Sequence, residues 1–363
     1  MGQRNFYFDS LTAILLLCLG SFGLFLFLTI DKALFIQQLS YFLLGFILLL
    51  LLLRLDPLIL WYFAPLGYIF SIIFLALSYL GPSIRGATRW IIVGGVQLQP
   101  SELVKPLLLL AFARLMSQYP PRNWRFLALH IFLFVVPFIL VFRQPDLGSS
   151  LIYAGFWLAM LVAGGLPLLF QFLGILTMGI LAPVGWHFLA AYQKARILTF
   201  LNPTLDPRGA GYNALQAMIA VGSGQIFGRG LGLGTQSHLR FLPEYHTDFV
   251  FATLIEELGF LGGSLLLLLY AALLWRIIEP LVKGKVKEAF PFIYSVGLFT
   301  TILVQIFINS GMNMGIIPIT GITLPFVSYG GSSVFSLAIS FALLWVIRRT
   351  GDSESRIAIG GSS

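Results

Sequence analysis

Long apolar runs alternate with short polar stretches along almost the whole chain. Each run has roughly the 17 to 25 residues that an α-helix needs to cross a hydrocarbon core about 30 Å thick. The pattern therefore predicts an all-α integral membrane protein, with about ten transmembrane helices forming one bundle over residues 1–348. The predicted spans are 11–30, 34–53, 58–80, 101–118, 124–142, 147–164, 167–190, 249–276, 289–311 and 325–347.

Composition supports the membrane assignment. Of the 363 residues, 58% are hydrophobic and 10% are charged, whereas a soluble domain carries roughly 25% charged residues. The net charge of +8 is explained by contact with anionic membrane lipids, so no nucleic-acid partner is expected. The single cysteine, Cys18, excludes a disulfide framework and a cysteine metal cluster.

Lys and Arg residues in the short loops set the predicted orientation. Arg54, Arg122 and Lys285 fall on the cytoplasmic side when the N-terminus is placed there, which follows the bias of short cytoplasmic loops. Both termini are then cytoplasmic. The polar tail at residues 349–363 is predicted to be disordered.

Two longer loops fall on the outer side in this topology. Residues 81–100 and 191–248 are rich in glycine, proline and cations, and the second joins the seventh and eighth spans. It contains a short amphipathic stretch between turn signals, so we expect a large folded extracellular loop. The irregular segment at 309–333, interrupted by prolines and glycines, is expected to line the same outer cavity. Polar chemistry is thus concentrated on one side of the membrane.

Several charged residues lie inside or beside predicted spans. Glu102 and Lys105 are three residues apart and so share a helix face, either as an internal ion pair or as a pair lining a hydrated cavity. Glu256 and Glu257 lie in the eighth span, and each intramembrane charge costs roughly 2.5 to 3.5 kcal/mol. These glutamates are therefore expected to be paired, hydrated or protonated, with a structural or cavity-lining role.

Cations crowd the outer loops, among them Arg85, Arg196 and Arg208. They form either a solvated face against lipid phosphates or a binding site for a phosphate-bearing substrate, because the arginine fork matches phosphate oxygens. Asp248 ends the large loop beside these cations. Two classes remain open from the residues alone: a transporter with intramembrane proton relays, and an enzyme with an outer-face acid beside cations.

Seven motifs, in order along the chain, resemble those of the SEDS family (shape, elongation, division and sporulation), most of all its elongation member RodA. The resemblance covers residues from about 80 to 345. The motifs are GATRWI (86–91), QPSELVK (99–105), QPDLGSS (144–150), FLNPTLDPRGAGYNALQ (200–216), GRGLGLGTQS (228–237), LPEYHTDFVFATLIEELGFLGG (242–263) and LPFVSYGGSS (324–333).

The resemblance implies a peptidoglycan glycosyltransferase of the bacterial cytoplasmic membrane. Its substrate would be lipid II, a disaccharide-peptide on undecaprenyl pyrophosphate, polymerised at the outer face for cell elongation and rod shape. The implied partner is a class B penicillin-binding protein with transpeptidase activity. A divalent cation could assist the leaving group, but no metal ligands are assigned. A lipid II flippase and a non-catalytic scaffold of the cell-wall machinery remain alternatives.

The resemblance also implies roles for individual residues. Asp248 matches the aspartate required for polymerisation and is the expected general base, with a pKa raised by its apolar surroundings. The residues expected to bind substrate are Arg85, Trp90, Glu102, Lys105, Arg196, Arg208, His246, Thr247 and Ser328.

Overall fold

The computed structural model describes residues 9–81, 89–94, 96–202 and 211–349. Nearly all regular structure in these residues is helical, with one two-stranded hairpin. The helices are α1 Ser10–Ile30, α2 Lys32–Leu52, α3 Pro57–Leu77, α4 Pro100–Leu103, α5 Lys105–Gln118, α6 Trp124–Arg143, α7 Leu147–Ala163, α8 Leu168–Phe188, α9 Ala191–Leu201, α10 Tyr212–Ser223, α11 Thr235–His238, α12 Val250–Val282, α13 Ala289–Asn313 and α14 Gly331–Arg348. The strands are β1 Ile91–Val93 and β2 Val96–Leu98.

Each predicted span overlaps helical structure, which confirms the all-α, multi-pass architecture. The helix of the eighth span, α12, is broken at Gly259. Within the described residues, seven helices are long and apolar enough to cross a membrane, namely α1, α2, α3, α6, α12, α13 and α14. Two shorter apolar helices, α7 and α8, occupy the sixth and seventh predicted spans. The number of ten spans stays a prediction.

The fourth predicted span is not one continuous helix. It divides at Val104 into α4 and α5. Pro106 in the first turn of α5 has no amide hydrogen, so it cannot donate the bond that would continue α4 into α5. The break leaves Glu102 and Lys105 on either side of the joint.

The inner and outer helices of the bundle differ in exposure. Within their most apolar windows, α14 is 78% buried and α13 is 61% buried, whereas α2 is only 17% buried. The helix α13 packs against α7 and α5, and α14 packs against α2. These two inner helices therefore form the core on which the outer-side loops rest.

The large outer loop folds onto the ends of the inner helices. Its longest described helix, α10, packs against α12 and α13. The loop at 81–100 contains the hairpin, which was not predicted, with Ile91 paired to Leu98 and Gly94 in a left-handed conformation at the turn. The hairpin places the residues before β1 next to those that begin α4. The predicted disordered tail lies outside the described residues, apart from Arg349.

Candidate functional site

Asp248 lies two residues before α12, at the meeting point of the large loop and the bundle. Its side chain is partly exposed, and its carboxylate lies against Gly321. A Cβ added to Gly321 would be 3.3 Å from Asp248 Oδ2, and the glycine has a φ of 76°, a left-handed conformation that favours glycine. Within the described residues, no group donates a hydrogen bond to the Asp248 carboxylate.

Two asparagines near the outer end of α13 hold the backbone at Asp248. The side-chain amides of Asn309 and Asn313 each donate to the Asp248 carbonyl oxygen, both at 3.0 Å. Asn309 also donates to the Ile322 carbonyl at 2.7 Å, and Asn313 Oδ1 accepts from the Ala252 amide at 3.1 Å. Both asparagines are fully buried, so these bonds fix Asp248 and the segment around Ile322 in one arrangement.

The irregular segment before α14 holds the residues that precede Asp248. Ser328 Oγ donates to the Thr247 carbonyl at 2.6 Å and accepts from the Leu324 amide at 2.8 Å. The Tyr329 amide donates to the His246 carbonyl at 2.8 Å, and the two rings are 5.6 Å apart. Three predicted site residues, His246, Thr247 and Ser328, are thus brought together, largely through main-chain contacts.

The surroundings of Asp248 shift its acidity. Although the residue is partly exposed, desolvation of its carboxyl group by the surrounding protein is the main cause and raises the pKa of Asp248 to about 6. Arg89 and Arg196 act in the opposite direction and lower this pKa, while Glu244 and Asp146 raise it further. A carboxylate with this pKa is mostly ionised at neutral pH and can still accept a proton efficiently.

Among the predicted cations, Arg196 makes a defined contact beside this cluster. Its Nη1 donates to the Thr320 carbonyl at 3.3 Å, next to Gly321. Trp90 directly precedes β1 and is partly exposed. Arg85 and Arg208 lie outside the described residues.

Sequence reasoning missed Asp146, which precedes α7. It is 2% exposed and accepts hydrogen bonds from Gln99 Nε2 and Ser101 Oγ, both at 3.1 Å. Its Oδ1 is 4.0 Å from Arg89 Nη1. The QPD and RW motifs contained both residues, but only the fold brings these distant segments together beside Asp248.

Glu102 and Lys105 form the internal ion pair, one of the two arrangements that their spacing permits. Lys105 Nζ is 2.6 Å from Glu102 Oε1, and both residues are buried. Tyr153 donates to the neighbouring Ser101 carbonyl at 2.7 Å. The pair therefore closes the joint between α4 and α5 and leaves the ammonium of Lys105 2% exposed.

Glu256 and Glu257 bind the large loop and not Asp248. Glu256 Oε1 accepts from the Gln236 amide at 2.9 Å and from Thr235 Oγ1 at 3.1 Å. Glu257 accepts from the Gly232 amide and contacts His238 Nε2, both at 3.1 Å. Their side chains thus hold residues 232–238 on α12.

The acids of this cluster bear on the predicted divalent cation. Across the described parts of the chain, no three His, Cys, Asp or Glu side chains gather in a group that could hold a metal ion. Asp146, which also influences Asp248, faces an arginine. The donor set favours arginines as partners of an anion, and the divalent cation stays a prediction.

Comparison with known proteins identifies the family. The FtsW/RodA/SpoVE cell cycle protein family matches residues 7–352. The chain belongs to this family. The SEDS resemblance is thereby confirmed, over more of the chain than the seven motifs covered.

Individual members of the FtsW/RodA/SpoVE family agree with this assignment. Peptidoglycan glycosyltransferase MrdB of Escherichia coli K12 is 37% identical over 306 residues, which are 84% of this chain and 82% of the relative. Thermus thermophilus rod shape determining protein RodA is 27% identical with a TM-score of 0.71, over 94% of this chain and 97% of the solved one. A chain from a peptidoglycan synthase complex that coordinates polymerization and crosslinking is 30% identical with a TM-score of 0.81, over 95% and 98%.

Proposed function

We propose that this protein is a peptidoglycan glycosyltransferase that polymerises lipid II at the outer face of the bacterial cytoplasmic membrane, for elongation and rod shape. The names of its relatives support the reaction class. One structural observation carries the catalytic assignment: the Asp248 backbone is fixed by two buried asparagines while its carboxylate, with a pKa of about 6, receives no hydrogen bond from the described residues.

The proposed reaction forms a glycosidic bond and releases a diphosphate. Asp248 accepts the proton of the acceptor hydroxyl as its oxygen bonds to the anomeric carbon of the donor sugar. The bond from that carbon to the diphosphate oxygen breaks, and the electron pair leaves with the diphosphate. Arg89 and Arg196 stabilise the developing negative charge, and we assign the same task to Arg85 and Arg208.

The remaining site residues receive supporting roles in this proposal. Trp90 offers an aromatic face to the sugar or the lipid stem. His246, Thr247 and Ser328 fix the chain that carries Asp248, as their main-chain hydrogen bonds indicate. The ion pair of Glu102 and Lys105 closes the α4–α5 joint beside Ser101, whose hydroxyl contacts Asp146. A divalent cation would be tested by adding a chelator to the polymerisation assay.

We also propose a topology and a partner. Both termini are placed in the cytoplasm, so that the large loop and Asp248 face outward. A class B penicillin-binding protein is the proposed partner, supported by the likeness to the chain from a peptidoglycan synthase complex. Co-purification of this protein with such a transpeptidase would test the assignment.

The variant Asp248→Asn tests the proposed function. In vesicles with lipid II, we expect glycan formation to fall about 100- to 10,000-fold, the range for loss of a general base. Asp31→Asn, at a partly exposed acid that caps α2, is the matched control and should polymerise normally. Full activity of the Asp248 variant would exclude the base assignment. Lipid II flipping without polymer in the wild type would favour the transporter, and the absence of both activities would favour the scaffold.

A further inference from the structure

The glycine-rich segment at residues 224–234, here termed the glycine turn, is fixed to α12 through its backbone. The amide of Arg229 donates to the Glu256 carbonyl at 2.9 Å, and that of Gly230 to the Glu257 carbonyl at 3.0 Å. Gly228 must approach α12 closely, because a Cβ there would be 2.1 Å from the Glu257 oxygen. The turn therefore keeps a set position along the axis of α12.

Two antiparallel helices give the depth of this position. At one end, Arg276 of α12 bonds Asp9, which caps α1, at 2.8 Å. At the other end, Gly232 lies over Thr29 of α1: a Cβ added to Gly232 would be 3.7 Å from Thr29 Cβ. The Gly232 amide donates to the Glu257 carboxylate. At about 1.5 Å per residue, α1 covers about 30 Å between Asp9 and Thr29, whereas α12 is broken at Gly259, which has a φ of 71°. The length of α1 matches the thickness of a hydrocarbon core, about 30 Å, so the glycine turn lies at the outer boundary.

The side chains of the glycine turn have the composition of a membrane interface. Phe227 is 78% exposed and Leu233 is 66% exposed, with Ile226 next to Phe227 also exposed. Arg229 is exposed as well and donates from Nη1 to Thr235 Oγ1 at 3.0 Å. Apolar side chains at this depth beside a cation match the acyl chains and the phosphate of a phospholipid.

We propose that the glycine turn is a lipid anchor in the outer leaflet, with Phe227 and Ile226 among the acyl chains and Arg229 at a phosphate. The anchor holds α12 at a fixed height. Asp248 lies just before the segment of α12 that ends at the Gly259 break, so the anchor also sets the height of this segment at the membrane surface. A lipid-linked diphosphate would be found at that surface; the last step rests on the proposed function.

Spin labelling measures the depth of the turn without any activity assay. Because the chain has one cysteine, Cys18→Ser provides a background in which Phe227→Cys accepts a single label. The protein is reconstituted in bilayers of phosphatidylethanolamine and phosphatidylglycerol, and collision rates with oxygen and with a water-soluble nickel chelate are compared. Leu268→Cys, at an exposed position midway along α12, is the lipid reference. Lys285→Cys, in the exposed loop after α12, is the aqueous reference.

We expect the label at position 227 to be open to oxygen, as at 268, and several-fold less open to nickel than at 285. Nickel access equal to that at 285 would overturn the anchor. An immobile label closed to both reagents would show that protein covers the turn, which would also overturn it. Protection of the label only after a transpeptidase is added would likewise indicate a protein-binding surface.

A second measurement tests whether the anchor sets the height of Asp248. Phe227→Asp should lower polymer formation from bilayer-embedded lipid II at least fivefold. Phe227→Leu, which keeps an apolar side chain, should retain most of the wild-type activity. Elution of both variants as single species in size-exclusion chromatography controls for folding. Unchanged activity of the aspartate variant would refute the height-setting role while leaving the spin-label result intact. If the glycosyltransferase proposal is wrong, the wild-type protein itself will form no polymer, which distinguishes the two outcomes.

Discussion

Two sets of acids at the outer end of α12 differ in how the protein treats their carboxylates. Glu256 and Glu257 accept hydrogen bonds from backbone amides of the large loop, and both are buried. Asp248 does the reverse: its main-chain carbonyl accepts two structural hydrogen bonds. Its carboxylate accepts none from the described residues, and Arg89 and Arg196 lower its pKa.

The difference separates structural acids from a chemical one. A carboxylate that accepts a hydrogen bond from a loop amide acts as a fixed connection, and its removal mainly weakens the fold. A carboxylate that is desolvated and held in place from its backbone keeps its lone pairs for a substrate proton. Charge inside an apolar helix is therefore a poor guide to catalysis unless the hydrogen-bond partners are known.

Among changes outside Asp248 itself, the largest expected effect comes from releasing its backbone. Asn309→Ala removes one donor to the Asp248 carbonyl and the bond to Ile322, at a cost of about 1 to 3 kcal/mol for buried groups left unpaired. If the transition state loses this much stabilisation, turnover drops about 5- to 150-fold. Turnover is measured as glycan chains formed per minute.

The neighbouring serine provides the control for this prediction. Ser310 is also buried but donates only to the Ile306 carbonyl of its own helix. Ser310→Ala should keep turnover within about twofold of the wild type. Equal losses in the two variants would mean that any change near the end of α13 disturbs the site, and that the asparagine bonds have no special role.

A smaller effect on activity, with a clear effect on stability, is expected for the structural acids. Glu257→Gln weakens the bonds to Gly232 and His238, and should lower the melting temperature by a few degrees. Polymer formation at a permissive temperature should stay within about threefold, because the main-chain bonds at 229 and 230 remain. Thermal unfolding in detergent, followed alongside the polymerisation assay, checks both.

The control for Glu257 lies at the opposite end of the same helix. Glu279 pairs with Arg276 and Lys283 near the far end of α12. Glu279→Gln should change the melting temperature less, because solvent screens exposed ion pairs. Loss of polymerisation in Glu257→Gln with an unchanged melting temperature would assign chemistry to Glu257 and remove the distinction between the two sets.

The smallest effect is electrostatic. Glu244 raises the pKa of Asp248, so Glu244→Gln should lower that pKa and move the acid limb of the rate profile to lower pH by less than about one unit. The maximal rate should not change. Glu288→Gln, before α13, serves as the control. A shift of the acid limb to higher pH would contradict this prediction and would show that ionisation of Asp248 does not control the acid limb.

Some of this arrangement could be predicted from the sequence, because the relevant signals are local. Apolar runs of spanning length located the helices, and the boundary between loop and apolar run placed Asp248 just before α12. The spacing of Glu102 and Lys105 permitted the ion pair that forms. These features depend on residues within one or two helical turns of each other.

The remainder depends on contacts between distant segments. The partners of Glu256 and Glu257 come from a loop about 20 residues earlier, and the glycine run carries no signal of which helix it approaches. Asp146, which precedes α7, and Arg89, which precedes β1, meet only in the folded chain. The division at Val104 follows from Pro106, a local signal that the apolar run concealed.

The pH dependence of the wild-type rate tests the central claim most directly. If Asp248 is the base, it must be ionised to act, so turnover should be maximal above about pH 7 and half-maximal near pH 6. Below that value it should fall toward tenfold per pH unit, with the protein still folded by chromatography. A rate that stays constant from pH 8 to pH 5 would contradict the account.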